Sequence, residues 1–273
     1  MKPVLLLLLC LLSSSALAQT DRLARIRETR VLVAAYREQS VPFSYLDQGA
    51  PTGFGVDLTQ RIAQAVQHEL GLDTLTIRWN PVTLSTRFPL IANNAIDIEC
   101  ATTTPTRERE NLVAFSLPYF KTREGFLVAA AAHDRALKDL HSLRIVVTAN
   151  SLAQKTLTAS FTNAASGRLL IASSNTAAML SLKKGQAEAF AGDEVVLAGE
   201  LLKSGEAVTG YRFIAAGEPA SDYACVLPRD NPVLKKIADE TIEHLTRSGE
   251  LQVMKQRWLN DPIPPFRKGL PVF

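Results

Sequence analysis

Short apolar strands and amphipathic helices alternate along this chain in two successive rounds, and that order is what most limits its fold. In the first round, residues 21–30 read as a short surface helix feeding a strand at Val31–Ala35. Val56–Leu70 carries Leu58, Ile62, Val66 and Leu70 at four-residue spacing behind Asp57, an amphipathic helix. Leu75–Trp79 alternates as a strand, Phe88–Asn93 reads as a helix, and Ile96, Ile98 and Cys100 mark another short strand. The composition shifts around Gly125–Ala132, a run suited to a buried strand, and a second round follows. It comprises strands at Arg144–Thr148, Leu169–Ser173 and Ala187–Ala191 and helices at Ala153–Ala159, Thr176–Lys184 and Val195–Lys203. Strands at Tyr211–Ala216 and Asp222–Leu227 precede two apolar-faced helices, Pro232–Thr246 and Gly249–Leu259. The expected architecture is α/β, with two lobes that are each a doubly wound sheet flanked by helices.

The amino terminus has the form of an export signal. Lys2 precedes the leucine-rich run Val4–Leu12, and Ser13–Ala18 supplies small residues for cleavage after Ala18. That run is too short to span a bilayer comfortably. Cys10 follows Leu9 rather than the small residue a lipid-anchored signal carries, so no anchor is expected. Removal of residues 1–18 takes Lys2 with it and lowers the formal charge of +3 by one. A near-neutral balance with scattered basic residues gives no basis for binding nucleic acid, and no later stretch reaches membrane-spanning length.

Cys100 and Cys225 remain after cleavage. An even count in an exported chain argues for one disulfide, with two buried free thiols as the alternative. Such a bridge closes a long loop and is worth up to about 5 kcal/mol on the chain-entropy model. It also returns the Cys225 segment to the first lobe, making that lobe discontinuous: 19–122 and 222–273, with 123–221 as the second lobe. The two chain crossings, near 121–126 and 216–222, would form a hinge beside a ligand cleft.

The candidate site starts at Asp97–Arg109, where an alternating run ends in Thr102-Thr103-Thr104 before Pro105 and a charged segment suited to start a helix. Hydroxyls and free N–H groups at such a junction can point outward together and favour an anion. Arg109, five residues after Thr104, adds a planar fork that matches a carboxylate. The plain alternative is a solvated turn with an exposed arginine. Arg37, in a polar loop after the first strand, and Arg87, opening a helical segment, occupy comparable junctions. No nucleophile motif, phosphate-binding glycine loop or metal-ligand spacing is present, and His68, His133, His141 and His244 lie far apart. No metal or cofactor is expected.

The segments Arg37–Tyr45, Arg87–Leu90, Asp97–Thr104, Glu108-Arg109, Ala189-Phe190, Asp193, Leu197–Glu200, Tyr223–Cys225 and Asn260–Pro265 span the chain in order. On them the chain resembles the periplasmic family 3 solute-binding proteins of amino-acid ABC transporters, and within these the glutamate/aspartate-binding subgroup. The resemblance implies a two-lobed, type II periplasmic-binding-protein-like fold that closes on one amino acid and delivers it, as a monomer, to a membrane permease. It implies that Arg109, Thr102 and Thr104 hold the α-carboxylate, that Asp193 takes the α-ammonium, and that Arg37 and Arg87 receive the acidic side chain. It also matches Cys100 and Cys225 to that subgroup's disulfide.

Three departures bear on the ligand. Leu84 stands where the subgroup has a serine and Asn175 where it has a histidine, while the 148–153 loop is poorer in glycine and threonine. Ser151 there can keep a carboxylate hydrogen bond, but Leu152 cannot. Glutamine, asparagine or another carboxylated ligand thus stays open. Two rivals accompany the transport reading. Some relatives with this fold are dehydratases acting on prephenate-like dicarboxylates, and others are ligand sensors. For catalysis, Glu38 and Glu99 are the acids adjoining the arginines, and strand alternation turns Glu99 away from the threonine face. If Asp193 binds no ligand, it is expected as an exposed helix cap.

Overall fold

The computed structural model describes residues 22–161, 168–217 and 219–260; the export signal read at 1–18 and the 261–265 motif lie outside them. After helix α1 (Arg22–Thr29) come strands β1 (Val31–Arg37), β2 (Gln39–Ser40), β3 (Ser44–Asp47) and β4 (Ala50–Thr52). Then follow α2 (Phe54–Glu69), β5 (Thr76–Val82), α3 (Arg87–Ala92), β6 (Ile98–Glu99), α4 (Arg107–Glu110) and β7 (Ala114–Thr122). The second round holds β8 (Glu124–Ala129), α5 (His133–Lys138), β9 (Ile145–Thr148), α6 (Leu152–Ser160), β10 (Leu169–Ala172) and α7 (Asn175–Lys183). It ends with β11 (Ala189–Asp193), α8 (Glu194–Lys203) and β12 (Tyr211–Ala215); β13 (Ser221–Leu227), α9 (Pro232–Arg247) and α10 (Glu250–Lys255) close the described chain.

Two five-stranded sheets carry the fold, ordered β5-β1-β6-β13-β7 and β10-β9-β11-β8-β12. In the first, β1 runs parallel to β5 and β6, and β13 is antiparallel to β6 and β7. In the second, β9 is parallel to β10 and β11, while β8 is antiparallel to β11 and β12. Each sheet therefore has a parallel, helix-connected part and an antiparallel flank. The antiparallel strands adjoin the crossings: β7 passes into β8 with one residue, Arg123, between them, and the chain returns from β12 to β13. This is the two-lobed α/β fold expected from the alternation.

Three local differences have clear causes. The polar loop expected at 36–45 is partly strand, because the Ser44 hydroxyl accepts from Arg37 N at 2.7 Å and draws β3 back against the end of β1. Phe43 then packs edge-on against Phe54, Phe120 and Tyr223, so the turn is buried rather than solvated. The run expected as strand to Ala132 stops at Ala129 and continues as a helical turn into α5, which periodicity had not marked. The strand read from Ile96 to Cys100 is regular only at Ile98–Glu99, and the helix after Pro105 is a single four-residue turn capped by Thr106.

Cys100 and Cys225 are bridged, with Cα atoms 4.2 Å apart, tying the loop after β6 to β13. A second tie is ionic. Asp97, fully buried, accepts from Arg22 Nη1 at 3.0 Å, Arg25 Nη2 at 2.6 Å and Val33 N at 2.8 Å. Arg22 is itself only 5 % exposed, so each charge depends on the other. Replacing Asp97 by Ala leaves that guanidinium only the neutral acceptors Ile96 O, Ile91 O and Asn94 Oδ1, and should cost about 3–5 kcal/mol of unfolding free energy. Urea unfolding of Asp97→Ala measures this, and a loss below about 1 kcal/mol would show that Arg22 needs no partner.

Candidate functional site

All eight residues singled out as ligand contacts border one narrow cavity between the two sheets: Arg37, Arg87, Thr102, Thr104, Arg109, Ser151, Asn175 and Asp193. The first lobe supplies three guanidiniums from three junctions: the end of β1, the start of α3 and the turn α4. The second supplies the N-terminal ends of α6 and α7 and the β11–α8 junction. Leu84 and Leu152 line the same cavity.

Two of the arginines, Arg87 and Arg109, are anchored to backbone carbonyls, and two, Arg37 and Arg87, carry buried donors without partners. Arg109 Nη1 donates to Thr104 O at 2.7 Å. Arg87 Nη1 donates to Leu84 O, so the leucine that replaces a polar contact still positions a guanidinium through its carbonyl. Phe88 lies between two of them, its ring centroid 4.1 Å from Arg87 Cζ and 5.5 Å from Arg109 Cζ. Arg37 Nη1 and Arg87 Nε are buried without a hydrogen-bond partner. Burial pushes all three guanidiniums below their usual range, and Arg87 to about 9, where the charges of Arg37 and Arg109 add to the effect. Such a site gains from any anion that enters it.

Glu99 does not border the cavity, in keeping with the expectation that it turns away from the threonines that do. Its carboxylate is fully buried 4.0 Å from Arg87 Nε and accepts from Thr103 Oγ1 at 3.1 Å. The strand becomes irregular after Glu99, so simple alternation does not carry through the threonines. The three hydroxyls accordingly do not point together: Thr103 turns inward to Glu99, leaving Thr102 and Thr104 on the cavity.

On the second lobe, Asp193 sits at the N-cap position of α8 but makes no side-chain capping bond, and its residue is only partly exposed. Its carboxyl lies beside Tyr223 and Arg109; burial pushes it up to about 6 against their opposing pull. Ser151 caps α6 by accepting from Gln154 N at 3.0 Å. Asn175 is engaged at both ends, accepting from Thr148 Oγ1 at 2.7 Å and donating to Gln39 O at 3.0 Å across the cleft. Glu124, the first residue of β8, also borders the cavity, and neither motif nor periodicity had marked it. Its one signal in the sequence is an acid at the expected crossing. Among the described residues no cluster of His, Cys, Asp and Glu is arranged to hold a metal, and no helix is long and apolar enough to cross a membrane.

Residues 32–261 match the family model of bacterial extracellular solute-binding proteins, family 3. The chain belongs to that family. This solute-binding protein is 34 % identical over 267 residues to the L-glutamate/L-aspartate-binding protein of Pseudomonas aeruginosa, covering 95 % of this chain and 87 % of that one. It is 31 % identical over 268 residues to the glutamate/aspartate import solute-binding protein of Escherichia coli K12, covering 94 % and 88 %. A more distant relative, 27 % identical and covering 92 % and 91 %, is a cyclohexadienyl dehydratase of Pseudomonas aeruginosa. The fold is shared with an ABC uptake transporter substrate-binding protein of Streptococcus pneumoniae with bound histidine, at 19 % identity, TM-score 0.78, and 89 % and 98 % coverage.

The raised carboxyls of this solute-binding protein predict a pH signature. Asp193 rises from 3.8 to about 6, and its neighbour Glu194 rises through burial from 4.5 to about 7. A carboxyl raised on folding contributes stability that is complete below its unfolded pKa and is lost as pH rises through the folded one. The stability of the ligand-free protein relative to Asp193→Asn should therefore fall between about pH 4 and pH 6. Denaturant unfolding of both proteins across this range is the check, and parallel profiles would place the Asp193 carboxyl in an ordinary solvated setting.

Proposed function

We propose that this protein captures an acidic amino acid, glutamate or aspartate, by closing its two lobes on it, and presents the closed complex to the permease of an ABC transporter in the periplasm. The observation that carries this reading is the convergence of Arg37, Arg87 and Arg109 with Asp193 on one cavity. An acidic amino acid brings two carboxylates and one ammonium, and this set offers a complement to each.

In this reading Arg109, Thr102 and Thr104 hold the α-carboxylate and Asp193 the α-ammonium. Arg37 and Arg87, whose buried donors lack partners, take the side-chain carboxylate. Ser151 adds a hydroxyl donor while capping its helix, and Asn175 secures the closed cleft through Gln39. Segments 19–122 with 222–273 and 123–221 move as two bodies about the crossings, and residues 1–18 direct export. Closure is favoured because ligand contacts from the second lobe exist only in the closed form.

Calorimetric titration of ligand-stripped protein with glutamate, aspartate, glutamine, asparagine and prephenate tests the reading. Tight binding of an acidic amino acid without turnover supports it. Preference for a neutral amide removes Arg37 and Arg87 from side-chain recognition, and conversion of prephenate replaces transport with catalysis. Arg109→Ala should cost on the order of 2–5 kcal/mol of binding, since it leaves a ligand carboxylate unpaired in a closed site. Arg87→Ala should weaken dicarboxylates more than neutral amino acids; equal losses for both would exclude it from the side-chain pocket.

A further inference from the structure

Three arginines facing one cavity attract any dicarboxylate, with or without an amine. The second lobe shows how the two can be told apart. Glu124 and Asp193 are direct register partners on the antiparallel strands β8 and β11. Residues directly opposite each other on such a ladder project from the same face, and both of these border the arginine-lined cavity. Both carboxylates also act on Arg109, lifting its pKa against the effect of burial.

Like charges placed directly opposite are unfavourable unless a cation lies within reach of both. Arg109 is one such cation, but it also bonds Thr104 O and belongs to the arginine face. A primary ammonium has three N–H donors, and one carboxylate beside it leaves donors for a second acceptor. We infer that Glu124 is a second carboxylate for the ligand's α-ammonium. Together with Asp193 it makes this pocket select amino dicarboxylates over dicarboxylates that lack an amine. This rests on the acidic-amino-acid reading and extends it. The arginines supply attraction, and the acid pair supplies rejection of the deaminated analogue, which brings no cation to the two carboxylates.

Glu124 begins β8 one residue after the chain leaves the first sheet, so an ammonium held there sits against the crossing itself. Ligand nitrogen and hinge are thereby joined through one side chain.

The test compares glutamate with glutarate, the same skeleton without the amine, by calorimetry on the ligand-stripped protein, Glu124→Gln and Glu124→Asp. Glu124→Gln should weaken glutamate about tenfold or more, the scale of a lost charge-assisted hydrogen bond, while glutarate binding holds or tightens. Glu124→Asp, which keeps the charge on a shorter arm, should recover part of the glutamate affinity. Unchanged glutamate affinity in Glu124→Gln, or equal factors for both ligands, would overturn the assignment. Thermal melting of each variant identifies a general loss of fold, and the Glu124→Asp comparison then decides. If the unaltered protein takes glutamine in place of glutamate, the acidic-ligand reading fails separately. The same ratio is then measured with glutamine against glutaramate, and its collapse in Glu124→Gln still supports the ammonium role.

Discussion

Much of this structure answers to one electrostatic constraint: three guanidiniums are brought into a single narrow cleft. Each loses hydration there, which lowers the pKa of Arg37, Arg87 and Arg109, and at Arg87 the charges of the other two add to the effect. Buried Glu99 offsets part of the cost from within the first lobe, and Phe88 lends its ring face to two of the three. The remainder is left open, visible as buried donors without partners on Arg37 and Arg87. With the cavity empty, those charges are under-compensated. If the lobes close on their ligand as proposed, an anion that supplies carboxylates acts on the open–closed equilibrium in proportion to its preference for the closed form.

The supporting architecture keeps those charges in register. The arginines come from separate junctions, so their relative positions depend on the sheet holding β1 beside β6 and on the loops being fixed. Asp97 fixes one side by joining α1 to β1 through buried ion pairs and a backbone bond. The Cys100–Cys225 bridge fixes the other by tying the loop after β6 to β13, the strand on which the chain returns from the second lobe. Tyr223 on β13 stands beside Asp193, so a strand of the first lobe also shapes the environment of the second lobe's acid.

The lobes and most of the site were legible in the sequence because they rest on repetition and on chemically distinctive residues. Four-residue apolar spacing marked α2, alternation marked the strands, and the arginines stood at strand–helix junctions where ligand sites occur. What escaped was set by tertiary contact. Nothing local distinguishes Glu124 from a surface acid; only its pairing opposite Asp193 places it on the cavity. Glu99 lies off the cavity as alternation predicts, but the strand loses regularity where the threonine loop begins, and Thr103 turns inward to that buried carboxylate. The hairpin β2–β3 was hidden by its polar residues, among which the Ser44 hydroxyl bonds the Arg37 backbone while Phe43 anchors the turn.

Contacts between the lobes bear on the proposed closure. In the closed cleft, α8 rests on the turn after β2 so tightly that a Cβ on Gly199 would stand 2.1 Å from Val41 O. Val195 and Val196, also on α8, pack into the core cluster of the first lobe, and Asn175 bonds Gln39 across the cleft. If the lobes close as proposed, these contacts favour the closed form whether or not a ligand is present, whereas the arginine cluster opposes it when the cavity is empty. On the proposed closing motion the two contributions act with opposite sign, and contacts to a bound ligand add to the first. Gly199 matters to that balance through the space it leaves: the absence of a side chain lets the helix seat, so the arginines and Asp193 can reach one ligand together.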